Sequence, residues 1–295
     1  MIYPEVAQRI EKIKNDRGSG ATRLSLDAVD ILGCAAEKSG KMNTAEFLEE
    51  MEAVGKRLIE ARPSMAPLRN RVLNILRDIR EEQRKGRSLD DLRELTVSLA
   101  AAMKEDSRRI TLRIIQHAST LIRNKTVLTH SYSSTVLETL KQAENVRAIT
   151  TESRPHSEGR LTANKLAEAG ILVTLITDAS VGHFMAEVDT VLVGVDTVLS
   201  DGSLINKMGT YLVALAARES DVPFYGVCET YKFVNRNAAE LEEMEASEVV
   251  AEPLPDVKVR NIYFDVTPAK FVTAIITEKG LLRPSEIAQH TKSGN

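Results

Sequence analysis

Apolar residues recur at intervals of three and four through the first part of the chain. The series runs Val6, Ile10, Ile13; Leu24, Ala28, Ile31, Ala35; Phe47, Met51, Val54, Leu58; Leu68, Val72, Ile75, Ile79; Leu92, Leu95, Leu99, Met103; and Ile110, Ile114, Ala118. This is the period of helices that bury one face, and it predicts a helical bundle. Asn43-Thr44-Ala45-Glu46 is a helix cap placed just before Phe47, and Pro63 and Pro67 interrupt the pattern where one helix stops and the next begins.

From about residue 125 the period changes. Short β-branched runs (Thr126 to Thr129, Val146 to Thr151, Ile171 to Thr177, Thr190 to Gly194, Pro223 to Val227) alternate with helical stretches (Ser134 to Ala143, Leu161 to Ala169, Val181 to Glu187, Lys207 to Glu219). A last strand, Val272 to Thr277, follows Thr267-Pro268, where proline suits the start of a short helix. Strand and helix units joined by short connections predict a mainly parallel, doubly wound sheet. The expected division is a helical domain, 1–122, and an α/β domain, 123–295; all aromatic residues except Tyr3 and Phe47 follow position 130, which supports it. Ligands of such sheets bind beyond the carboxyl ends of the strands. The loops to inspect are therefore His130-Ser131, Glu152-Ser153-Arg154, Asp178, Val195-Asp196 and Glu229-Thr230.

Composition narrows the function classes. With 295 residues, a net charge of −3 and 43% hydrophobic residues, the chain is long enough for two cores and lacks the basic excess of a dedicated nucleic-acid binder. Two cysteines, Cys34 and Cys228, form no disulfide framework, and no Cys/His spacing matches a metal site, so no metal is expected. The charged N-terminus lacks the apolar centre of a signal peptide and no apolar run is long enough to span a bilayer; a cytoplasmic location without membrane contact is expected.

Several residues are candidates for chemistry. Asn15 to Thr22 contains Arg17-Gly18-Ser19-Gly20 ahead of a helix, which suits either an anion at a helix N-terminus or an ordinary glycine turn with a hydroxyl cap. Ser203 to Thr210 follows an Asp-Gly turn and reads as a helix starting near Asn206, with Asn206 and Lys207 offering donors or merely capping it beside solvent. Asp196 follows the apolar run Val191 to Val195, so it is either a half-shielded acid or base with a raised pKa or a turn cap. His130 and Ser131 are adjacent in an extended chain and point to opposite faces; without a G-x-S-x-G elbow they do not make a hydrolase pair. Cys34 and Cys228 read as small buried hydrophobes, and His117, His156, His183 and His290 as structural or exposed residues.

Taken together, Thr129-His130-Ser131-Tyr132-Ser133, Thr151 to Pro155, Gly194-Val195-Asp196, Ile205 to Thr210 and Glu229 to Phe233 resemble a known family. It unites the alpha, beta and delta subunits of eukaryotic initiation factor 2B, their archaeal relatives, and the isomerases of ribose 1,5-bisphosphate and methylthioribose 1-phosphate. Arg17 to Gly20, Glu60 to Ser64 and Phe264 to Pro268 extend the resemblance over nearly the whole chain. It implies an N-terminal helical domain followed by a Rossmann-like domain. It also implies that Arg17, Gly18, Ser19, Gly20, Arg62, Ser133, Arg154, Asn206 and Lys207 hold sugar and phosphate oxygens, and that Asp196 matches the catalytic aspartate of the isomerases.

Ser131 falls where the isomerases carry their catalytic cysteine. A thiol with an ordinary pKa of about 8.5 shares its proton near neutral pH, whereas a serine hydroxyl needs a base beside it. The initiation factor's alpha subunit also lacks the cysteine and has a Thr-His-x-Tyr-Ser pattern similar to Thr129 to Ser133, but keeps no aspartate at the position of Asp196. The expectation is thus a regulatory protein of the alpha type that senses a phosphorylated sugar or nucleotide, with little or no isomerase activity. The alternative is an aldose–ketose isomerase of ribose 1,5-bisphosphate or a related sugar 1-phosphate, in which Asp196 acts with Cys228 or a water. Retention of Arg17, Arg154 and Lys207 counts against a third option, a purely structural subunit. No cofactor is expected. The resemblance further implies a homodimer or higher homo-oligomer through the second domain, with a translation factor as a candidate partner; the near-neutral charge leads to no expectation of direct nucleic-acid binding.

Overall fold

The apolar stripes of the first part of the chain close on one another as the spacing predicts. In this computed structural model, which describes residues 3–16, 19–63, 65–236, 241 and 243–291, contacts divide the chain into two units, Met1–Arg109 and Ile110–Asn295. Helices α1 (Pro4–Asn15), α2 (Ala21–Lys38), α3 (Thr44–Ala61), α4 (Ala66–Arg84) and the start of α5 (Leu89–Leu121) form the first. One core gathers Val6 and Ile10 of α1, Leu24 and Ala28 of α2, Phe47 and Met51 of α3, and Val72 and Ile75 of α4. The cap before Phe47 is present: the Asn43 side chain accepts the Glu46 N–H at 2.9 Å.

The second unit is built on a seven-stranded sheet in the order β10-β9-β7-β4-β1-β2-β3. Its strands are β1 (Thr126–Thr129), β2 (Arg147–Thr151), β3 (Leu172–Ile176), β4 (Thr190–Gly194), β7 (Phe224–Val227), β9 (Ala274–Thr277) and β10 (Gly280–Leu282). All pairs are parallel except the antiparallel β9–β10 edge. Helices α6 (Ser134–Gln142), α7 (Glu158–Glu168), α8 (Val181–Phe184) and α9 (Thr210–Glu219) fill the connections, and α10 (Ile287–Thr291) follows the sheet. Alternate residues of the central strands enter different cores: Leu128, Val191 and Val193 join one cluster, Val127, Leu192 and Val227 the other. Both faces of the sheet are therefore covered at its centre, which is why these strands read as continuous apolar runs, whereas β3 at the edge keeps Leu172 and Leu175 exposed. The chain winds outward through β2 and β3 on one side of β1 and through β4, β7 and β9 on the other. The topological switch point thus lies between β1 and β4, where His130-Ser131 and Val195-Asp196 emerge.

A second, three-stranded antiparallel sheet corrects one expectation. Asn206 and Lys207 do not start a helix; they lie on β6 (Leu204–Lys207), between β5 (Thr197–Val198) and β8 (Phe264–Thr267). The Asp-Gly turn does make the hairpin, but β6 stays extended because β8, far along the chain, pairs with its full length. The helix begins only at Thr210, and the 209 and 211 N–H groups donate to one oxygen of Asp265, at 2.8 and 3.1 Å. Two helix boundaries also move: α7 starts at Glu158 rather than Leu161, and the segment from Val181 is helical only to Phe184 before tightening into a 3₁₀ turn.

Asp265 has a stability signature. Burial raises its carboxyl to about 6, against the smaller lowering by the two backbone donors, and its other oxygen is buried without a partner among the described residues. A raised acid pKa means that the folded chain holds the proton more tightly than the unfolded chain. The contribution is fully present below the unfolded value of about 3.9 and is lost as pH rises to about 6. Relative to Asp265→Asn, the native protein should lose up to about 2 kcal/mol of stability between those limits, measured by urea unfolding at each pH. A pH-independent difference would refute the assignment.

Candidate functional site

The loops selected from the sequence emerge from neighbouring strands, in the order β7, β4, β1, β2, β3. After β1 the chain turns sharply, with Ser131 at φ 66°. Its N–H donates to Ser153 Oγ at 2.7 Å, and its carbonyl accepts from Thr162 Oγ1 at 3.1 Å. Behind this turn lies a buried chain of hydrogen bonds. A carbonyl only accepts, so the contact of His130 Nε2 with the Met208 oxygen at 2.8 Å puts the ring proton on Nε2. Nδ1 then accepts from Thr151 Oγ1 at 2.6 Å, and Thr151 lies 3.0 Å from Ser153 Oγ. Burial lowers the His130 pKa and keeps this neutral form. The carboxylate of Asp178 accepts the Ser153 and Arg154 N–H groups at 2.7 and 2.8 Å, which pins the β2 loop to the end of β3.

Ser133 caps α6, its Oγ accepting from Val136 N–H at 3.4 Å. A Cβ added at Gly194 would lie 2.7 Å from that side chain, so only glycine lets the end of β4 approach the β1 loop this closely. Asp196 lies two residues further on. Its side chain keeps 34% of its surface accessible, yet its surroundings are packed protein, and the lost hydration raises its carboxyl above the ordinary range. Lys232 and Lys207 pull in the opposite direction. Lys232 Nζ lies 4.0 Å from Asp196 Oδ1 and donates to the Val195 carbonyl at 2.6 Å.

Lys207 is buried, with its ammonium 2.7 Å from Glu158 Oε1 and 4.1 Å from the centre of the Tyr263 ring. Asn206 is also buried and donates to Thr210 Oγ1 at 3.0 Å. Arg154 is exposed, and its guanidinium donates to the carbonyls of Pro155 and Val249 at 3.0 and 2.8 Å. In the first unit, Arg62 closes α3 and donates to the Ile13 carbonyl at 3.1 Å. Gly20 caps α2, and Asp16 accepts the Ser19 N–H and hydroxyl at 2.8 and 2.9 Å. Arg17 and Gly18 lie outside the described residues.

Two residues escaped sequence reasoning. Lys232 stood inside the motif Glu229 to Phe233, but nothing in that motif shows that its ammonium returns to the end of β4. Glu158 carried no signal, because its partner Lys207 is remote in sequence. Cys228, by contrast, is settled by its surroundings: it is buried at the end of β7, and burial pushes its thiol up to about 12. Its alkylation by iodoacetamide at pH 8 should be at least about a hundredfold slower than that of a free thiol of pKa about 8.5, as read by peptide mass mapping. Modification at the free-thiol rate would contradict this burial. Among the described residues no His/Cys/Asp/Glu group is arranged to hold a metal ion, and no helix is long and apolar enough to cross a membrane.

A helical unit followed by a doubly wound sheet, with a carboxyl and two lysines gathered at its switch point, defines an α/β protein of the Rossmann-like class. More particularly, the chain belongs to the initiation factor 2 subunit family, whose model matches residues 17–284. It is 37% identical to the ribose 1,5-bisphosphate isomerase of Methanocaldococcus jannaschii over 95% of this chain and 92% of that protein. Identity to the enzyme of the same name from Archaeoglobus fulgidus is 38%, over 95% and 90%. Among solved structures, the translation initiation factor eIF-2B of Pyrococcus horikoshii OT3 superposes with a TM-score of 0.82 at 31% identity, covering 96% of this chain and 98% of that one.

These relatives overturn the expectation of a regulatory protein of the alpha type with little or no activity. Proteins named ribose 1,5-bisphosphate isomerase match this chain at 32–38% identity along nearly its whole length. The expectation rested on Ser131 and on the Thr-His-x-Tyr-Ser pattern of Thr129 to Ser133, and so short a stretch is a narrow basis for assigning an entire protein to the inactive branch.

Proposed function

We propose that this protein is an aldose–ketose isomerase acting on ribose 1,5-bisphosphate or a related sugar 1-phosphate. The observation that carries the reading is Asp196 at the switch point, its carboxyl raised by burial and flanked by Lys232 and Lys207. Isomerisation opens the sugar ring and moves hydrogen from C2 to C1: the ring oxygen gains a proton, the C2 hydroxyl loses one, and a ketone forms at C2. A carboxyl raised above its ordinary range is a stronger base when ionised; in its protonated form it gives a proton to the ring oxygen, and its carboxylate then takes one back. Lys232 and Lys207 oppose that rise and favour the carboxylate form.

Cys228 has no part in this proposal, since a thiol pushed to about 12 does not ionise in the working range. Ser131 enters as a hydroxyl held by the left-handed turn after β1. Ser133, Arg154, Asn206 and Lys207 of the second unit retain the ligand role implied by resemblance. The test is incubation with ribose 1,5-bisphosphate followed by carbon NMR. Loss of the anomeric signal and growth of a ketone signal are expected; an unchanged spectrum at high enzyme concentration would overturn the reading.

A further inference from the structure

Lys207 is a natural candidate to hold a phosphate, but its immediate partner argues otherwise. Glu158 Oε1 lies 2.7 Å from the Lys207 ammonium, and the Tyr263 ring covers another side of that ammonium at 4.1 Å. A phosphate brought to Lys207 would meet the Glu158 carboxylate with like charge in a place shielded from water. A neutral hydroxyl would meet no such penalty: it can accept from a lysine and donate to a carboxylate. The second carboxylate oxygen, Oε2, is buried and has no hydrogen-bond partner among the described residues. Leaving such an oxygen without a donor is costly, and its unused capacity calls for an O–H or N–H.

The backbone holds this oxygen in place. Gly159 approaches the end of β2 so closely that an added Cβ would lie 1.7 Å from the Thr151 carbonyl oxygen. Thr162, one turn further along α7, donates to the Ser131 carbonyl at 3.1 Å and reaches the Glu158 carbonyl at 3.4 Å. Lys207 in turn acts electrostatically on Asp196. Glu158 is thus tied by its helix to the Ser131 turn and by its ion pair to the surroundings of Asp196.

We propose that Glu158 is a specificity-determining residue whose Oε2 accepts a hydrogen bond from a sugar hydroxyl while Oε1 holds Lys207, so that this pair reads the polyol part of the ligand and leaves phosphate binding to other residues. The inference rests on the sugar-phosphate reading given above. It is tested by calorimetric titration of the whole chain with ribose 1,5-bisphosphate and with pentane-1,5-diyl bisphosphate, which carries two phosphates and no hydroxyl. The native protein should prefer the sugar. Glu158→Met should weaken the sugar by at least about tenfold, the loss of one charge-assisted hydrogen bond, and should not weaken the alkyl bisphosphate, because the like charge facing its phosphates is removed. Should Glu158→Met not fold, Glu158→Gln gives the same ordering with a smaller sugar loss, at least about threefold, because a neutral amide replaces the charged acceptor. Equal changes for both ligands would make Glu158 a mere counter-ion of Lys207, and unchanged sugar affinity would assign Oε2 to water; either result overturns the proposal, as does a native protein without preference for the sugar. Turnover of the native protein is followed in the same samples. Absent turnover with intact hydroxyl discrimination sinks the isomerase reading alone, and normal turnover with no discrimination sinks only the role of Glu158.

Discussion

Asp196→Asn is expected to lower turnover of ribose 1,5-bisphosphate by at least about a thousandfold while leaving its binding within a few-fold of native. The amide keeps the size and shape of the side chain but neither gives nor takes a proton in the working range, and general acid–base groups contribute about 10²–10⁴ in rate. A thousandfold corresponds to about 4 kcal/mol of barrier. The largest effect belongs at this position because burial, the first cause of its raised pKa, is joined there by two opposing ammonium groups. A thermal melt of the variant guards against trivial unfolding; with a carboxyl that is raised by burial, loss of the charge should not destabilise the fold. Turnover within tenfold of native in Asp196→Asn would remove this carboxyl from the chemistry.

Gly159→Ala is expected to destabilise the second unit by about 3 kcal/mol or more, at the upper end of the cost of overpacking. The new methyl would lie 1.7 Å from the Thr151 carbonyl oxygen, a backbone atom that cannot swing aside like a flexible side chain. Relief requires moving the first turn of α7 away from β2. That breaks the bond from the 159 N–H to the Glu152 carbonyl, 3.1 Å long, and displaces Glu158 from Lys207. For a unit of this size the shift corresponds to a melting temperature lower by roughly 6–12 °C, measured by calorimetry. A variant with native melting behaviour would mean that the helix start can retreat freely, and would weaken the case that Glu158 is held in place.

Much of the architecture was legible because it follows from local periodicity. The three-to-four spacing of Phe47, Met51, Val54 and Leu58 needs only a helix with one buried face, and each of these residues is buried. The strands β1, β4 and β7 were legible for a related reason: a sheet covered on both faces demands continuous apolar runs such as Val191-Leu192-Val193. Asp196 was found as a candidate because it directly follows such a run, and the carboxyl ends of parallel strands are where ligands bind. The Asn206-Lys207 segment was misread for the converse reason. A hairpin return that is extended by pairing with β8 has no local signature distinguishing it from the start of the following helix.

What the chain determines by itself is therefore what depends on neighbours in sequence: the helical stripes, the apolar strands, the Asn43 cap, and the motifs that mark the family. Tertiary structure alone decided the quantities that depend on neighbours in space. The raised carboxyl of Asp196 comes from packing around it and from lysines on β6 and beyond β7, and the thiol of Cys228 is silenced by the same kind of burial. The pairing of Glu158 with Lys207 arises only when α7 and β6 meet. Periodicity encodes which face of an element turns inward; desolvation and Coulomb interaction fall off with distance through space, and remote segments set them only once the fold has brought them together.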